Sequence, residues 1–230
     1  VKPFGKKDDG GDLVETSFLM EGLLIARQYM SKDNVKEREL AADIDRLWRN
    51  VEWDWYQKGT TDKYYWHWSP NYGWEMNFDL EGYNECLITY ILGASSPTHP
   101  IDPEAYHKCW ARSGGIVSDK QQYGLPLVLR YNGAEEWTGP LFWSHYSYIG
   151  LCPKGLKDRY ADYWKLVCNH AKIHYNYCVQ NPQGHYGYGA NCWGLTASYS
   201  PSGYHAHMPV NNDLGVITPT AALSSFPYTP

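Results

Sequence analysis

The sequence predicts an all-α fold in which pairs of helices are joined by long, aromatic-rich loops. Apolar residues recur at steps of three and four behind residues that typically cap helices, as expected for amphipathic helices. Between these stretches lie three long segments rich in Gly, Pro, Trp and Tyr that lack helical periodicity, at about 59–83, 115–154 and 180–217. Helix pairs with such loops at one rim are typical of an all-α toroid, in which the loops line a pocket.

The first two helices are predicted near the N-terminus. One runs from about Leu13 to Met30, directly after an acidic stretch. The next follows Asn34, which forms a capping-box pattern with Glu37. We expect its apolar stripe to extend as far as Val51 and Trp55.

Four more helices and a hairpin are predicted further along the chain. The helices are expected to begin near Asn84, to cover Asp102–Gly114 and about Leu156–Cys178, and to begin again near Pro219. The hairpin is expected within 63–78, where the turn residues SPNYG separate two aromatic arms.

Composition narrows the possible functions. The net charge of −5, with no block of basic residues, gives no electrostatic reason to expect nucleic acid as a partner. No apolar run approaches the ~18 residues that span a bilayer, so no membrane-spanning segment is expected. The six cysteines show no CxxC pair and no zinc spacing, which argues against a metal knuckle and leaves disulfides undecided. With 11 Trp and 21 Tyr against 5 Phe, most aromatic residues carry a polar group, which suits partly wet surfaces.

An acidic cluster precedes the first helix, in KKDDGGDLVETSF. The structural interpretation is that Asp12 caps the helix and Glu15 reaches back to it, but this does not account for Asp8 and Asp9. The functional interpretation is that Asp8, Asp12 and Glu15 converge on a cleft, where one ionised carboxylate acts as general base on a water molecule. The two interpretations are compatible.

A second candidate carboxyl group is Glu85 in GYNECLITY, predicted at another helix start. Hydrolysis of a glycosidic bond needs a protonated carboxyl group that donates to the leaving oxygen. Trp74, Tyr83 and the apolar face of the helix would partly desolvate Glu85, as a general acid requires. The alternative interpretation is a favourable charge in the first helical turn.

The aromatic loops predict a sugar-binding surface. Flat rings interleaved with hydrogen-bonding histidines match the apolar faces and hydroxyl edges of a sugar, although each ring alone could also pack in a core. The predicted substrate-binding residues are Trp66, His67, Trp68, Tyr72, Trp74, His145 and Trp193. His205 and His207 are a weak metal signal, for which loop hydrogen bonding is the preferred interpretation.

Long motifs in this chain resemble a known family. They are KPFGKKDDGGDLVETSFLMEGLLIARQY, YWHWSPNYGWEMN, GYNECLITYILGASSPTHPI, FWSHYSYIGLCPKGLKDRYADYW, CWGLTAS and GVITPTAALSSFPYTP. Together they resemble the bacterial putative glucoamylase family, whose characterised members include endo-β-1,2-glucanases of glycoside hydrolase family 144. The resemblance covers nearly the whole chain.

This resemblance implies an (α/α)6 toroid, inverting hydrolysis and no metal or organic cofactor. It also implies that the acids matching Asp8, Asp12 and Glu15 lie at the site and that the glutamate matching Glu85 is the acid. A full toroid has twelve helices and this chain supplies about half, so residues 1–230 are expected to form one incomplete catalytic domain of a longer chain. Periplasmic or secreted location is an expectation from polymer-degrading relatives.

The leading hypothesis is therefore a glycoside hydrolase that acts on a glucan or gluco-oligosaccharide, with a β-1,2 linkage favoured by the resemblance. A glucoamylase-like α-glucan hydrolase stays open, because pocket shape rather than residue type reads linkage. A non-catalytic carbohydrate-binding domain also stays open, in which the acids only cap helices. A polysaccharide lyase with a base such as His145 is disfavoured, since acidic residues exceed the basic ones that would bind a uronate.

Overall fold

The computed structural model describes residues 9–133 and 135–229, which divide into two compact units. The first unit is drawn from Val1–Glu81 and Cys86–Trp110, and the second from Gly82–Glu85 and Ala111–Pro230. Helical residues outnumber strand residues in both units and the strands are short, so the prediction of a mostly helical fold is confirmed.

The first unit is built around three helices and one small strand pair. Helix α1 contacts both α2 and α3, and the strands β1 and β2 pair antiparallel. The bounds are β1 Gly11–Asp12, α1 Leu13–Tyr29, α2 Val35–Asn50, a 3-10 helix Trp53–Gln57, β2 His67–Trp68, α3 Leu87–Ser95 and a π-helical turn Tyr106–Trp110.

The described part of the second unit is built around one long helix and four short helices, with two hairpins. Helix α4 packs against β4 and against the first of two consecutive 3-10 helices. The bounds are Arg112–Gly114 (3-10), β3 Gln121–Gln122, β4 Leu125–Pro126, Leu141–Ser144 and Tyr146–Tyr148 (both 3-10), α4 Tyr163–Gln180, β5 Ala197–Ser200, β6 Gly203–Ala206 and α5 Pro219–Ser224.

The helix starts follow the capping chemistry that the sequence predicts. Asp12 caps α1 and Asn34 caps α2, each accepting two backbone N–H groups of the first turn. Asp162, which is not predicted from the sequence as a cap, caps α4 by accepting the N–H of Lys165 alone. Helix α5 begins at Pro219, as predicted.

The predicted stripe of the second helix is wrong at its C-terminal end. Helix α2 ends at Asn50, Val51 is extended, and Trp55 lies in the following 3-10 helix. Since apolar spacing continues past the helix end, periodicity alone could not locate it.

The predicted helix Asp102–Gly114 is also wrong as a single element. A π-helical turn and a 3-10 turn replace it, and Arg112 and Ser113, at the start of the 3-10 turn, have left-handed φ values of 51° and 54°. A left-handed residue cannot continue a right-handed helix, so the chain changes direction here.

Two further helix starts need correction. Helix α4 begins at Tyr163 rather than near Leu156, because Asp158 holds the preceding residues in a turn by accepting the N–H groups of Tyr160 and Ala161. Helix α3 begins at Leu87, so Glu85 lies just before the helix and not in its first turn.

None of the helices in the described ranges combines the length and the apolarity needed to cross a membrane.

Candidate active site

The predicted acids of the first unit lie beside its aromatic loop. Strand β1 pairs antiparallel with β2, which sets Gly11 opposite Trp68 and Asp12 opposite His67. The Leu13 N–H extends this pairing by donating to the carbonyl of Trp66 at 2.9 Å. Two motifs that the sequence offers separately, the acids and the aromatics, are therefore neighbours.

Asp12 is the residue that links this strand pair to helix α1. Its Oδ1 accepts hydrogen bonds from the N–H groups of Val14 at 2.9 Å and Glu15 at 3.0 Å. The capping interpretation of Asp12 is confirmed. Because both bonds use one oxygen, capping leaves Oδ2 for other partners.

The other acids of the cluster have different surroundings. Glu15 is exposed as a residue, but partial desolvation of its carboxyl group, and secondarily the charge of Asp12, raise its pKa. Asp9 accepts hydrogen bonds from the Asn71 side chain at 2.6 Å and from the Ser69 hydroxyl at 3.2 Å, which ties it to the aromatic loop. Asp8 lies outside the described residues.

A tyrosine that sequence reasoning missed lies under the acidic segment. The Tyr56 hydroxyl donates to the Gly11 carbonyl at 3.1 Å. Burial, and secondarily the charge of Asp12, raise the pKa of Tyr56 to about 12. Any side chain at Gly11 would collide with this hydroxyl, since a Cβ there would lie 2.3 Å from it. Tyr56 therefore fixes the position of strand β1, which carries Asp12, through its contact with Gly11.

The predicted hairpin at 63–78 folds back on itself only in part. Tyr65 bridges Asp79 and Ser69 bridges Gly73, so the two arms are antiparallel. Its regular strand, however, pairs with the acidic segment rather than with its own second arm.

The aromatic residues of this loop differ in exposure. Tyr72 is exposed, and Trp66, Trp68 and Trp74 are half-buried. His67 is buried, and neither of its ring nitrogens has a hydrogen-bond partner within the described ranges. An unpaired buried imidazole is costly, so a hydrogen-bonding partner is expected for it in the whole protein.

Glu85 lies in the second unit, on a segment that is fixed through its backbone. Tyr83, two residues earlier, pairs with the 130–132 segment by donating to the Arg130 carbonyl at 3.0 Å and accepting from the Asn132 N–H at 3.1 Å. The Ser147 hydroxyl then donates to the carbonyl of Glu85 itself at 2.5 Å. The carboxyl side chain is half-buried.

Gly82 makes this close approach possible. Its φ is +77°, which favours glycine, and a Cβ would lie 2.3 Å from the backbone nitrogen of Gly133. The GYNE sequence is therefore explained in part by the packing that precedes the glutamate.

A chain of buried hydrogen bonds holds Tyr83 in place. The Nε2 atoms of His170 and His174 lie 2.8 and 2.9 Å from the Gly139 carbonyl, which only accepts. His170 Nδ1 must then accept from the Ser144 hydroxyl at 2.6 Å, and Ser144 in turn accepts from the Tyr83 hydroxyl at 2.9 Å. This direction requires His170 to be neutral.

The buried histidines give the protein a predicted acid sensitivity. Burial lowers the pKa of His170 from 6.5 to about 3. Between these pH values the unfolded chain binds a proton at His170 and the folded protein does not. Neutral His170 therefore contributes fully to the free energy of unfolding above about pH 6.5. This contribution decreases by about 1.4 kcal/mol per pH unit as the pH falls toward 3. His170→Gln is expected to destabilise the protein at pH 7.5, and its difference from the wild type should narrow by about 2 kcal/mol at pH 5. Denaturant unfolding at both pH values measures this, and a difference that does not change with pH would contradict it.

His145 and Trp193 are the two remaining residues predicted to bind substrate, and both lie in the second unit. His145 Nε2 is 3.1 Å from the Ser225 hydroxyl, its ring stacks on Tyr228, and burial lowers its pKa to about 4. His145 follows directly on Ser144, within the segment that also fixes Glu85. Trp193 packs edge to face on Tyr175 and lines a cavity of about 470 Å³.

Sequence reasoning missed the residues that position the candidate acids. Tyr56 and Ser147 act through backbone atoms of partners 45 and 62 positions away, respectively. No local motif signals such a contact. It also missed Glu135, a half-buried carboxyl group whose pKa is raised by burial.

No group of three or more His, Cys, Asp or Glu residues within the described ranges has the arrangement of a metal site. His205 and His207 do not form one. All six cysteines are free thiols.

Comparison with solved structures shows close similarity along the whole chain. An endo-β-1,2-glucanase from Chitinophaga pinensis, solved with sophorotriose and glucose, is 62% identical with a TM-score of 0.95, over 100% of this chain and 55% of that one. A putative glucoamylase from Bacteroides caccae is 56% identical with a TM-score of 0.95, over 100% of this chain and 56% of that one.

A curated relative is also named for the β-1,2 linkage. An exo-β-1,2-glucooligosaccharide sophorohydrolase (non-reducing end) from Parabacteroides distasonis is 45% identical over 99% of this chain and 34% of its own length. The chain thus spans about a third of this relative and just over half of the two solved structures.

Residues 77–230 match the family described as Glycoamylase, putative glucoamylase. This range includes Glu85 and the segment that fixes it. The chain belongs to the putative glucoamylase family.

Proposed function

We propose that the whole protein is a glycoside hydrolase that cleaves β-1,2-linked glucan by an inverting mechanism with two carboxyl groups. The observation that carries this proposal is the 62% identity, over the full length of this chain, to an endo-β-1,2-glucanase solved with sophorotriose and glucose. The sophorohydrolase relative supports the same linkage.

In the proposed reaction, Glu85 donates its proton to the leaving glycosidic oxygen as the bond to the anomeric carbon breaks. One of Asp8, Asp12 and Glu15 removes a proton from the water molecule that attacks this carbon from the opposite face. The hydroxyl of that water becomes the new anomeric hydroxyl, and the two carboxyl groups exchange protonation states. Inversion requires the acid and the base to be about 6.5–9.5 Å apart.

Two features of the individual units support these roles. In the first unit, the cap bonds of Asp12 and the Tyr56 hydroxyl fix the acidic segment beside flat aromatic rings. In the second unit, the Ser147 hydroxyl fixes the backbone of Glu85. Preorganised groups of this kind reduce the entropic cost of reaching the transition state.

The architecture and location belong to the same proposal. We propose that residues 1–230 form part of one catalytic (α/α)6 toroid, which further helices of the longer chain complete. The proposed substrate is a polymer or an oligosaccharide. Because the enzyme must reach this substrate where it occurs, we propose that the protein is periplasmic or secreted.

The test is incubation of the whole protein with glucans of defined linkage, followed by chromatography of the products. We expect cleavage of β-1,2-glucan to sophoro-oligosaccharides and no cleavage of α-1,4-glucan. Cleavage of α-1,4-glucan alone would identify a glucoamylase and contradict the proposal. Binding without cleavage would identify a carbohydrate-binding domain, and unsaturated, ultraviolet-absorbing products would identify a lyase.

A further inference from the structure

We propose that Trp55 forms the wall between two additional glucosyl subsites in the first unit, which extend away from the acidic segment. This inference rests on the proposed function and adds to it where the more distant sugars of a β-1,2-glucan chain bind. None of the residues that line these subsites, except Trp68 and Trp74, is predicted from the sequence to bind substrate.

Two cavities meet at Trp55. The smaller, of about 370 Å³, adjoins the acidic segment, and the larger, of about 740 Å³, lies further from it. Glu52 and Trp55 line both. The smaller is also lined by Gly11, Leu13, Thr16, Asn50, Val51, Tyr56 and Trp68, and the larger by Asp54, Lys58, Gly59, Trp74 and His99. Both volumes are in the usual range for small-molecule sites.

The ring of Trp55 faces outward, unlike its neighbour Trp53 in the same 3-10 helix. Trp53 is fully buried and packs on Trp48, as a core residue does. Trp55 keeps 50% of its surface exposed although it contacts two other indoles. Its ring centroid is 5.8 Å from that of Trp68 and 6.2 Å from that of Trp74. An indole held by neighbours with half its surface in solvent suits stacking on the apolar face of a sugar.

The polar groups of the larger cavity suit a neutral ligand with many hydroxyl groups. Two carboxylates, Glu52 and Asp54, accept hydrogen bonds, and the Lys58 ammonium group donates them. Lys58 is held in position by the Asn77 side chain at 2.7 Å and lies 3.7 Å from the centre of the Tyr65 ring. Two carboxylates against one ammonium group disfavour an anionic ligand, and the mixture of acceptors and a donor suits the hydroxyl groups of a neutral sugar.

The direction of the subsites follows from the strand pairing. Gly11 and Trp68 are paired residues of β1 and β2, and both line the smaller cavity. A glucan chain cleaved at the acids can thus pass Trp68 and then Trp55 before it reaches Trp74. Binding energy from such distant sugars can be used to orient the reacting bond.

The test is Trp55→Ala in the whole protein, with KM measured on substrates of increasing length. For polymeric β-1,2-glucan we expect KM to rise about tenfold, which corresponds to the loss of one well-packed aromatic contact. For sophorotriose, which is too short to fill the distant subsites, we expect little change. Trp55→Phe keeps a ring and should restore most of the affinity for the polymer.

Trp137→Ala is the matched control, because Trp137 is 41% exposed and lines neither cavity. Its KM should equal that of the wild type at every substrate length. Equal KM values for wild type and Trp55→Ala at every length would overturn the inference. So would a uniform loss with a lower Tm, which would mean that Trp55 packs against other parts of the longer chain. If the wild type cleaves no β-1,2-glucan, the proposed function fails instead.

Discussion

Replacing Glu85 by glutamine in the whole protein is expected to lower kcat on β-1,2-glucan by about 10²- to 10⁴-fold. Glutamine is nearly the same size but has no proton to give to the leaving oxygen, and general acid catalysis typically contributes this factor. Initial rates at saturating glucan measure the effect. Binding of sophorotriose, followed by calorimetry, should survive, because the backbone contact from Ser147 does not involve the substituted carboxyl group.

Glu104→Gln is the matched control for this substitution. Glu104 is an exposed carboxylate whose nearest cation is Lys108 at 3.6 Å, and it has no proposed role in the reaction. Its removal should change neither kcat nor Tm measurably, since exposed ion pairs contribute little. An active Glu85→Gln enzyme would leave the proposed mechanism without its acid.

Replacing Asp12 by asparagine is expected to separate capping from catalysis. Asparagine caps helices about as well as aspartate, so Tm should stay close to that of the wild type. Its neutral amide cannot take a proton from water, so we expect kcat to fall at least about 100-fold. Asp12→Ala should lose the same activity and in addition about 1 kcal/mol of stability.

Asn34→Ala offers the corresponding control at helix α2. Asn34 accepts from the N–H groups of Lys36 at 3.0 Å and Glu37 at 3.4 Å, so it caps its helix in the way that Asp12 does. Its loss should cost about 1 kcal/mol with unchanged kcat. If Asp12→Asn keeps full activity, Asp12 is a capping residue only, and its proposed role is wrong.

The parts of the fold that the sequence predicts are those determined by neighbouring residues. The caps Asp12 and Asn34 act on N–H groups two and three positions away, and Pro219 takes the first helical position because its missing N–H costs nothing there. Such signals are local and can be read in a single sequence.

The helix ends and breaks are less predictable because they depend on competing local conformations. The apolar spacing that leads to Trp55 continues beyond α2, yet the chain turns at Val51. Arg112 and Ser113 adopt left-handed conformations that their residue types do not predict. The periodicity of apolar residues carries no signal for these changes of backbone conformation.

The arrangement around the candidate acids could not be predicted at all from spacing. The pairing of Gly11 with Trp68 joins residues far apart in the chain, and so does the bond from Ser147 to Glu85. The residue types were informative, since flat rings and carboxyl groups both indicated a sugar. Only the structure shows that the acidic segment of the first unit is held by its aromatic loop.

The most direct test of the proposed mechanism is the anomeric configuration of the first product. Proton NMR of freshly mixed whole protein and β-1,2-glucan follows the new reducing end before it equilibrates with solvent. An inverting enzyme with separate acid and base carboxyl groups must release the α-anomer first, with the β-anomer appearing only later by mutarotation. Initial release of the β-anomer would mean that a carboxylate attacks the sugar directly, and it would contradict the roles proposed for Glu85 and the Asp8, Asp12 and Glu15 cluster.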